Sequence, residues 1–264
     1  MTPWTFLSKK GNDEYINLFA RGSGQQPTPI ESWDYDSDNN LIVLRGILKH
    51  KLIKRCWQDG RPFLFMDSGY FGNRPNPNNP GGWKVWHRVV PNNFQHHEIV
   101  PRPADRWERL NIRLRPRQQG TRILVAAPDE KPCIVYDVSL DQWLKNTVQT
   151  IKQYTDRPVE IRHRDPNRQR RQTNDFTDVL RDVHCVVTFN SNAAVEAVMA
   201  GVPVYATAPC SAAAPVSNTD FEKIDDPWFP DEDLRQHWCR HLAYGQFHNN
   251  ELGNGVAASI IQQT

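Results

Sequence analysis

The segment His184–Tyr205, HCVVTFNSNAAVEAVMAGVPVY, constrains the fold of this chain more than any other. It opens on a short apolar run rich in β-branched residues, Val186-Val187-Thr188-Phe189. Asn190, Ser191 and Asn192 follow, and an alanine-rich stretch then runs to Gly201 and Pro203. That order reads as buried strand, tight turn, helix, glycine stop and next strand. Ser191 or Asn192 is placed to cap the helix, whose first N–H groups and positive dipole end face outward. A helix start at the carboxyl edge of a parallel sheet suits a phosphate. Glu196, about one turn further on, is expected to face the same crevice and to accept hydrogen bonds from hydroxyls. An anion hole beside a carboxylate is what a sugar nucleotide needs. The alternative for the same residues is a strand–helix unit that holds no ligand.

The flanking sequence extends this pattern. Arg122–Ala127 is expected to be a strand, Leu140–Tyr154 a helix capped by Ser139, Val159–Arg162 a strand and Phe176–Leu180 a short helix. Strand and helix alternate from 122 to 205, which argues for a parallel sheet with helices packed on it. Ahead of it, Leu41–Leu44, Pro62–Met66 and Lys84–Val90 read as strands and Ile47–Trp57 as a helix. Residues 1 to about 40 are polar and turn-rich, and 72–83, GNRPNPNNPGGW, read as a loop. The fold class expected is α/β, with two Rossmann-like units, the first smaller and more irregular. Residues 1–120 form the first domain in this reading and 121–264 the second. A last helix, about 231–247, crosses back toward the first half.

Composition bounds the rest. The 264 residues suffice for one large or two small cores. No apolar run reaches membrane-spanning length, and the first residues lack a basic segment followed by a long apolar one, so neither a membrane helix nor a secretory signal is expected. Five scattered cysteines, none in a C-x-x-C, fit reduced thiols and a cytoplasmic location. The net charge is only +2, but it is segregated. Arginine runs occupy 102–122 and 157–171, and an acidic run occupies 220–233. Arginine supplies planar bidentate contacts to phosphate, so these runs suit a donor pyrophosphate or a nucleic-acid backbone. Their alternative is a solvated surface or ion pairs with the acidic run.

Asp67 ends an apolar strand and opens a glycine-containing loop, where a carboxylate can take the proton of an attacking hydroxyl. It is the expected general base; its alternative is an Asp bonded to its own turn. His87, beside Arg88, is the rival base, with a structural histidine as its alternative. Tyr70 is expected to stack on or bond an acceptor, or else to be a core aromatic. Arg162 and Arg164, at the end of a strand, are placed to bind donor phosphates and stabilise a departing nucleoside diphosphate. Asp34-x-Asp36-x-Asp38 lacks the spacing of a calcium loop and reads as an acidic turn, so no metal ion is expected.

Asn190-Ser191, Glu196-Ala197 and Gly201-Val202-Pro203 together resemble the donor-binding half of GT-B glycosyltransferases, in particular capsule-polysaccharide Kdo transferases and a group of phage-encoded glycosyltransferases. The phage group is also similar at Phe65-Met66-Asp67-Ser68-Gly69-Tyr70-Phe71, at Trp86-His87-Arg88-Val89 with Asn92, and at Leu242–Phe247 with Glu251 and Gly255. These matches run in order over roughly residues 60 to 258. The resemblance implies a two-unit fold and a sugar transferred from a nucleotide-sugar co-substrate, a UDP-sugar in this reading, with no other cofactor. Ser191, Asn192, Glu196, Arg162 and Arg164 would hold the donor. Asp67 or His87 would act on the acceptor, bound by Tyr70 and Arg88. The phage similarity points to hydroxymethylated pyrimidines of double-stranded DNA as acceptor. A polysaccharide or lipid-linked sugar is the alternative acceptor. A non-catalytic nucleic-acid-binding protein with a degenerate Rossmann-like fold is the alternative of a different kind.

Overall fold

The computed structural model describes residues 3–46, 49–73, 85–163 and 176–263. The chain forms two compact units, Met1–Phe94 with Gly245–Thr264, and Gln95–Tyr244.

The first unit carries a six-stranded sheet in the order β10-β5-β4-β3-β1-β2. Its strands are β1 (Trp4–Ser8), β2 (Pro27–Pro29), β3 (Leu41–Arg45), β4 (Phe63–Ser68), β5 (Trp86–Pro91) and β10 (Gln246–His248). β2, β1, β3 and β4 are mutually parallel, whereas β5 runs antiparallel to both β4 and β10. Helix α1 (Glu14–Gly22) joins β1 to β2, and α2 (His50–Asp59) joins β3 to β4. The two crossovers step in opposite directions along the sheet, so right-handedness puts α1 and α2 on opposite faces. Trp4, Phe6, Val43, Leu64 and Met66 face α1, which buries Tyr15, Ile16, Phe19 and Ala20 against them. The last helices, α9 (Asn249–Gly253) and α10 (Val256–Gln262), complete this core with Leu252, Ala257 and Ala258.

The second unit carries the parallel sheet expected from the sequence, in the order β7-β6-β8-β9. Its strands are β6 (Arg122–Ala126), β7 (Val159–Arg162), β8 (Val183–Thr188) and β9 (Val204–Ala206). All six residues of β8 are buried, as expected of an inner strand covered on both faces. Helices α4 (Glu130–Val135) and α5 (Leu140–Tyr154) follow β6, α6 (Phe176–Val179) follows β7, and α7 (Ala193–Met199) follows β8. Ser139 caps α5 by accepting from the Gln142 N–H at 3.3 Å. Trp143 and Ile151 of α5 pack on Ile123, Val125, Cys185 and Val187. α7 buries Ala194, Val195, Ala197 and Val198. The unit also holds α3 (Asp105–Arg109) and α8 (Glu232–Tyr244).

Two features depart from the sequence reading. The first is where the chain divides. The sequence reading puts a boundary near residue 120, but residues from Gln95 onward belong to the second unit. Side-chain and backbone bonds fix this segment there. Gln95 donates to the Asn190 carbonyl at 2.7 Å and accepts from the Ala212 N–H at 2.6 Å. The Arg115 and Gln118 N–H groups donate to the Met199 and Gly201 carbonyls at 2.9 Å each. At the other end α8 stays in the second unit, and it is β10, α9 and α10 that join the first. The second departure lies in residues 1–40, which hold β1 and α1 rather than turns alone. Asp13 caps α1, accepting from the Ile16 N–H at 3.2 Å. The acidic turn does form: Trp33 and the Asn40 N–H both donate to Asp38, at 2.6 and 2.8 Å.

Candidate functional site

In an open α/β sheet the strand order reverses at one point. The loops that leave the carboxyl ends there part to opposite faces and open a crevice. In the second unit this point lies between β6 and β8, because α5 leads to β7 on one side and α7 to β9 on the other. The residues that end these strands are therefore the candidate ligand contacts. They are Ala126 on β6, Arg162 on β7 and, after β8, the turn Phe189-Asn190-Ser191-Asn192 leading into α7.

The turn is ordered by its own groups. Ser191 Oγ accepts from the Ala193 N–H at 3.2 Å, and the Ser191 and Asn192 carbonyls accept from Ala194 and Glu196 at 3.0 and 3.1 Å. The Thr188 hydroxyl bonds the Ala126 carbonyl at 2.8 Å, tying the ends of β8 and β6 together at the edge. Gly201 stops α7 at φ 89°. Ser191, Asn192 and Glu196 are half-buried at the start of α7. Arg162 lies over the Phe176 ring at 5.0 Å, at the same edge on the outer strand. Arg164 falls outside the described residues. The structure thus brings Ser191, Asn192, Glu196 and Arg162 to one edge of one sheet.

The residues expected on the acceptor side lie in the first unit. Asp67 sits near the carboxyl end of β4, with a side chain 36% exposed. One of its oxygens accepts from the Ser68 N–H at 2.8 Å, and the other lies 3.4 Å from the Arg88 guanidinium. Arg88 is buried on β5 and holds the neighbouring loops. It donates to the Phe94 carbonyl at 2.9 Å and to the Ser68 carbonyl at 2.6 Å. Tyr70 is 5% exposed, its N–H held by Gln246 at 2.7 Å. His87 is 2% exposed beneath the Tyr15 ring, the centroids 4.3 Å apart. Of these four, Asp67 is the most exposed.

Sequence reasoning passed over a second group at this edge. Lys9, Lys10, Arg45 and Lys49 cluster where β1 and β3 end. The available signal was Lys9-Lys10-Gly11, placed between an apolar run and the capping residue Asp13. Several of the described arginines of the two runs, in contrast, are bonded within the second unit. Arg106 is buried and donates to the Ala243 carbonyl at 3.0 Å. Arg122 pairs with Glu160 at 2.6 Å, Arg157 with Asp225 at 2.9 Å and Arg117 with Asp226 at 3.7 Å. The last two are ion pairs between the basic and acidic runs.

Among the described residues no helix is long and apolar enough to cross a membrane, and no three His, Cys, Asp or Glu side chains are grouped to hold a metal ion. No family model matches the sequence, and no curated protein matches it. Solved structures do. The chain superposes on the β-Kdo 2,4 transferase of Thermosulfurimonas dismutans KpsC with a TM-score of 0.51 at 11% identity, over 98% of each chain. It matches the β-Kdo 2,7 transferase of the same protein with a TM-score of 0.48 at 10% identity, over 97% of this chain and 99% of that one. The first of these likenesses establishes the fold, a two-unit GT-B-like α/β architecture shared over nearly the whole length.

Proposed function

We propose that this chain is a glycosyltransferase that moves a sugar from a nucleotide-sugar donor to a hydroxyl of a saccharide acceptor. The observation that carries this reading is the crevice between β6 and β8, where Arg162, the Ser191–Asn192 turn and Glu196 share one carboxyl edge. A nucleotide sugar needs donors for its phosphates and an acceptor for its hydroxyls, and this edge supplies both. The superposition on a protein described as a Kdo transferase supports the same class.

In this reading the acceptor oxygen attacks the anomeric carbon as Asp67 takes its proton, and the bond from that carbon to the donor phosphate breaks. Arg162 stabilises the charge that develops on the leaving group. Glu196 holds ribose or sugar hydroxyls. Asp67 is preferred to His87 because a base has to reach the proton it takes, and His87 is covered by Tyr15. A saccharide acceptor is preferred to DNA because Arg106, Arg117, Arg122 and Arg157 are bonded within their own unit. That leaves fewer of them for a phosphate backbone.

The test is nucleotide release from a panel of UDP-, GDP- and CMP-sugars with an oligosaccharide acceptor, with hydroxymethylated duplex DNA, and with neither. Release that requires the oligosaccharide supports the reading, and release that requires the modified DNA moves the acceptor to DNA. If no nucleotide in the panel binds, the transferase reading fails. Arg162→Ala should weaken nucleotide binding, whereas Asp67→Asn should leave it intact and lower kcat by about 10²-fold or more. Equal turnover by Asp67→Asn and wild type removes Asp67 as the base.

A further inference from the structure

The sheet of the first unit has its own reversal point. β1 leads through α1 to β2 on one side, and β3 leads through α2 to β4 on the other. The crevice therefore opens between the carboxyl ends of β1 and β3. A cavity of about 460 Å³ lies there, lined by the turn that follows β1, by the start of α1 and by Arg45 at the end of β3.

Its lining is rich in cations. Lys9 and Lys10 reach it from a 3-10 turn in which Lys10 takes left-handed angles, φ 49° and ψ 26°. Such angles are costly for a residue with a Cβ, and they recur where a loop must present groups to a ligand. The turn is anchored from outside, the Lys10 N–H donating to Glu31 at 2.9 Å. Arg45 stacks over the Tyr15 ring at 4.6 Å, and its buried Nε makes no hydrogen bond among the described residues. Behind it the half-buried Lys49 donates its ammonium to the Leu7 carbonyl at 3.0 Å. Burial holds Lys49 below the usual lysine range, and the Arg45 charge pushes the same way.

Two carboxylates line the cavity as well, and one is already engaged. Asp13 caps α1 with one oxygen and lies 3.5 Å from Arg45 with the other, while Glu14 is exposed at the rim. Asp13 thus takes up the Ile16 N–H with its side chain and the Asn17 N–H with its carbonyl, and the site rests on side-chain charge rather than on the helix end.

We propose that this crevice binds a phosphate dianion, free or as a phosphomonoester, between Arg45 and the Lys9–Lys10 turn, with Lys49 behind. Three cations line one opening and a fourth lies near Arg45, which suits a doubly charged oxyanion better than a single carboxylate, and a guanidinium gives such an oxyanion directed bonds. The site is separate from the donor edge of the second unit and does not depend on the transferase reading.

The test is calorimetric titration of the full-length protein with inorganic phosphate, glycerol 3-phosphate, a short thymidine oligonucleotide as phosphodiester, and acetate, at fixed ionic strength. Saturable binding of the first two, at least about tenfold tighter than the last two, is expected. Arg45→Gln should weaken phosphate binding by roughly tenfold or more. The double variant Lys9→Gln, Lys10→Gln changes exposed side chains alone, so it keeps the fold and should also weaken binding, by about fivefold. No saturable binding of phosphate, equal binding of the phosphodiester, or wild-type affinity in the double variant overturns the proposal. Nucleotide affinity measured on the same variants should not change, so loss of this site and loss of the donor site read out separately.

Discussion

Gln246 is fully buried and does the work of a small backbone element. Its side-chain oxygen accepts from both the Tyr70 and Phe71 N–H groups, at 2.7 and 2.9 Å, and so holds the loop after Asp67 against β10. Gln246→Ala would leave two buried donors unpaired. The expected loss is about 2–4 kcal/mol, read from urea unfolding. His241 on α8 poses a different problem. Burial, reinforced by the charge of Arg102, lowers its pKa to about 4, and its Nδ1 accepts from the Val100 N–H at 3.3 Å. The unfolded chain takes up this proton near pH 6.5 and the folded chain does not, so stability is full above that pH and falls as the pH drops toward 4. From pH 7 to pH 5 the contribution is about 1–2 kcal/mol after allowing for partial solvent screening. In the His241→Asn variant that part of the slope should disappear from a series of melts across this range. At this scale the sequence was legible where a residue type has one use, as with Ser139 at a helix start. It was less legible for Arg88 and Tyr70, whose burial depends on partners as distant as Gln246.

Among elements, the second unit was readable because its strands are short apolar runs between turn residues, and its longest helix, α5, begins at the capping residue Ser139. Gly201 shows how tightly one of these punctuation marks is set. It takes φ 89°, and a Cβ there would run into the Pro116 carbonyl oxygen. Gly201→Ala should destabilise by roughly 2–3 kcal/mol, visible as a lowered Tm. An unchanged Tm would mean that the 115–118 segment yields easily. β1 and α1 escaped the sequence reading for a physical reason. Five residues of strand give little periodicity, and the Lys9–Gly11 turn separates them from a helix of nine. The apolar spacing Tyr15-Ile16-x-x-Phe19-Ala20 after Asp13 was the usable signal. Missing it also hid the cationic crevice, since both walls of that crevice depend on where β1 ends.

As a whole molecule, the chain is interrupted rather than divided in two. The second unit is one continuous stretch, and the first is assembled from both ends of the sequence. Composition and motif order revealed the two-unit α/β plan, but the points of passage, after Phe94 and after Tyr244, are marked by tertiary hydrogen bonds that no local pattern encodes. Phe247, Leu252, Ala257 and Ala258 supply part of the core against α1. A fragment spanning 95–244 should therefore melt cooperatively alone, whereas one spanning 1–94 should lack a sharp transition until a peptide of 245–264 is added. Circular dichroism of the three samples checks this, and a cooperative melt of 1–94 without the peptide would contradict it.

The passage of the chain through the two units also sets a schedule for the ribosome. Residues 1–94 emerge before 245–264, yet β5 lacks its outer neighbour, and α1 its last apolar partners, until 245–264 have been made. The continuous unit can complete itself during that wait. A premature stop or frameshift between residues 244 and 264 would thus spare the unit made of 95–244 and cripple the one begun by 1–94.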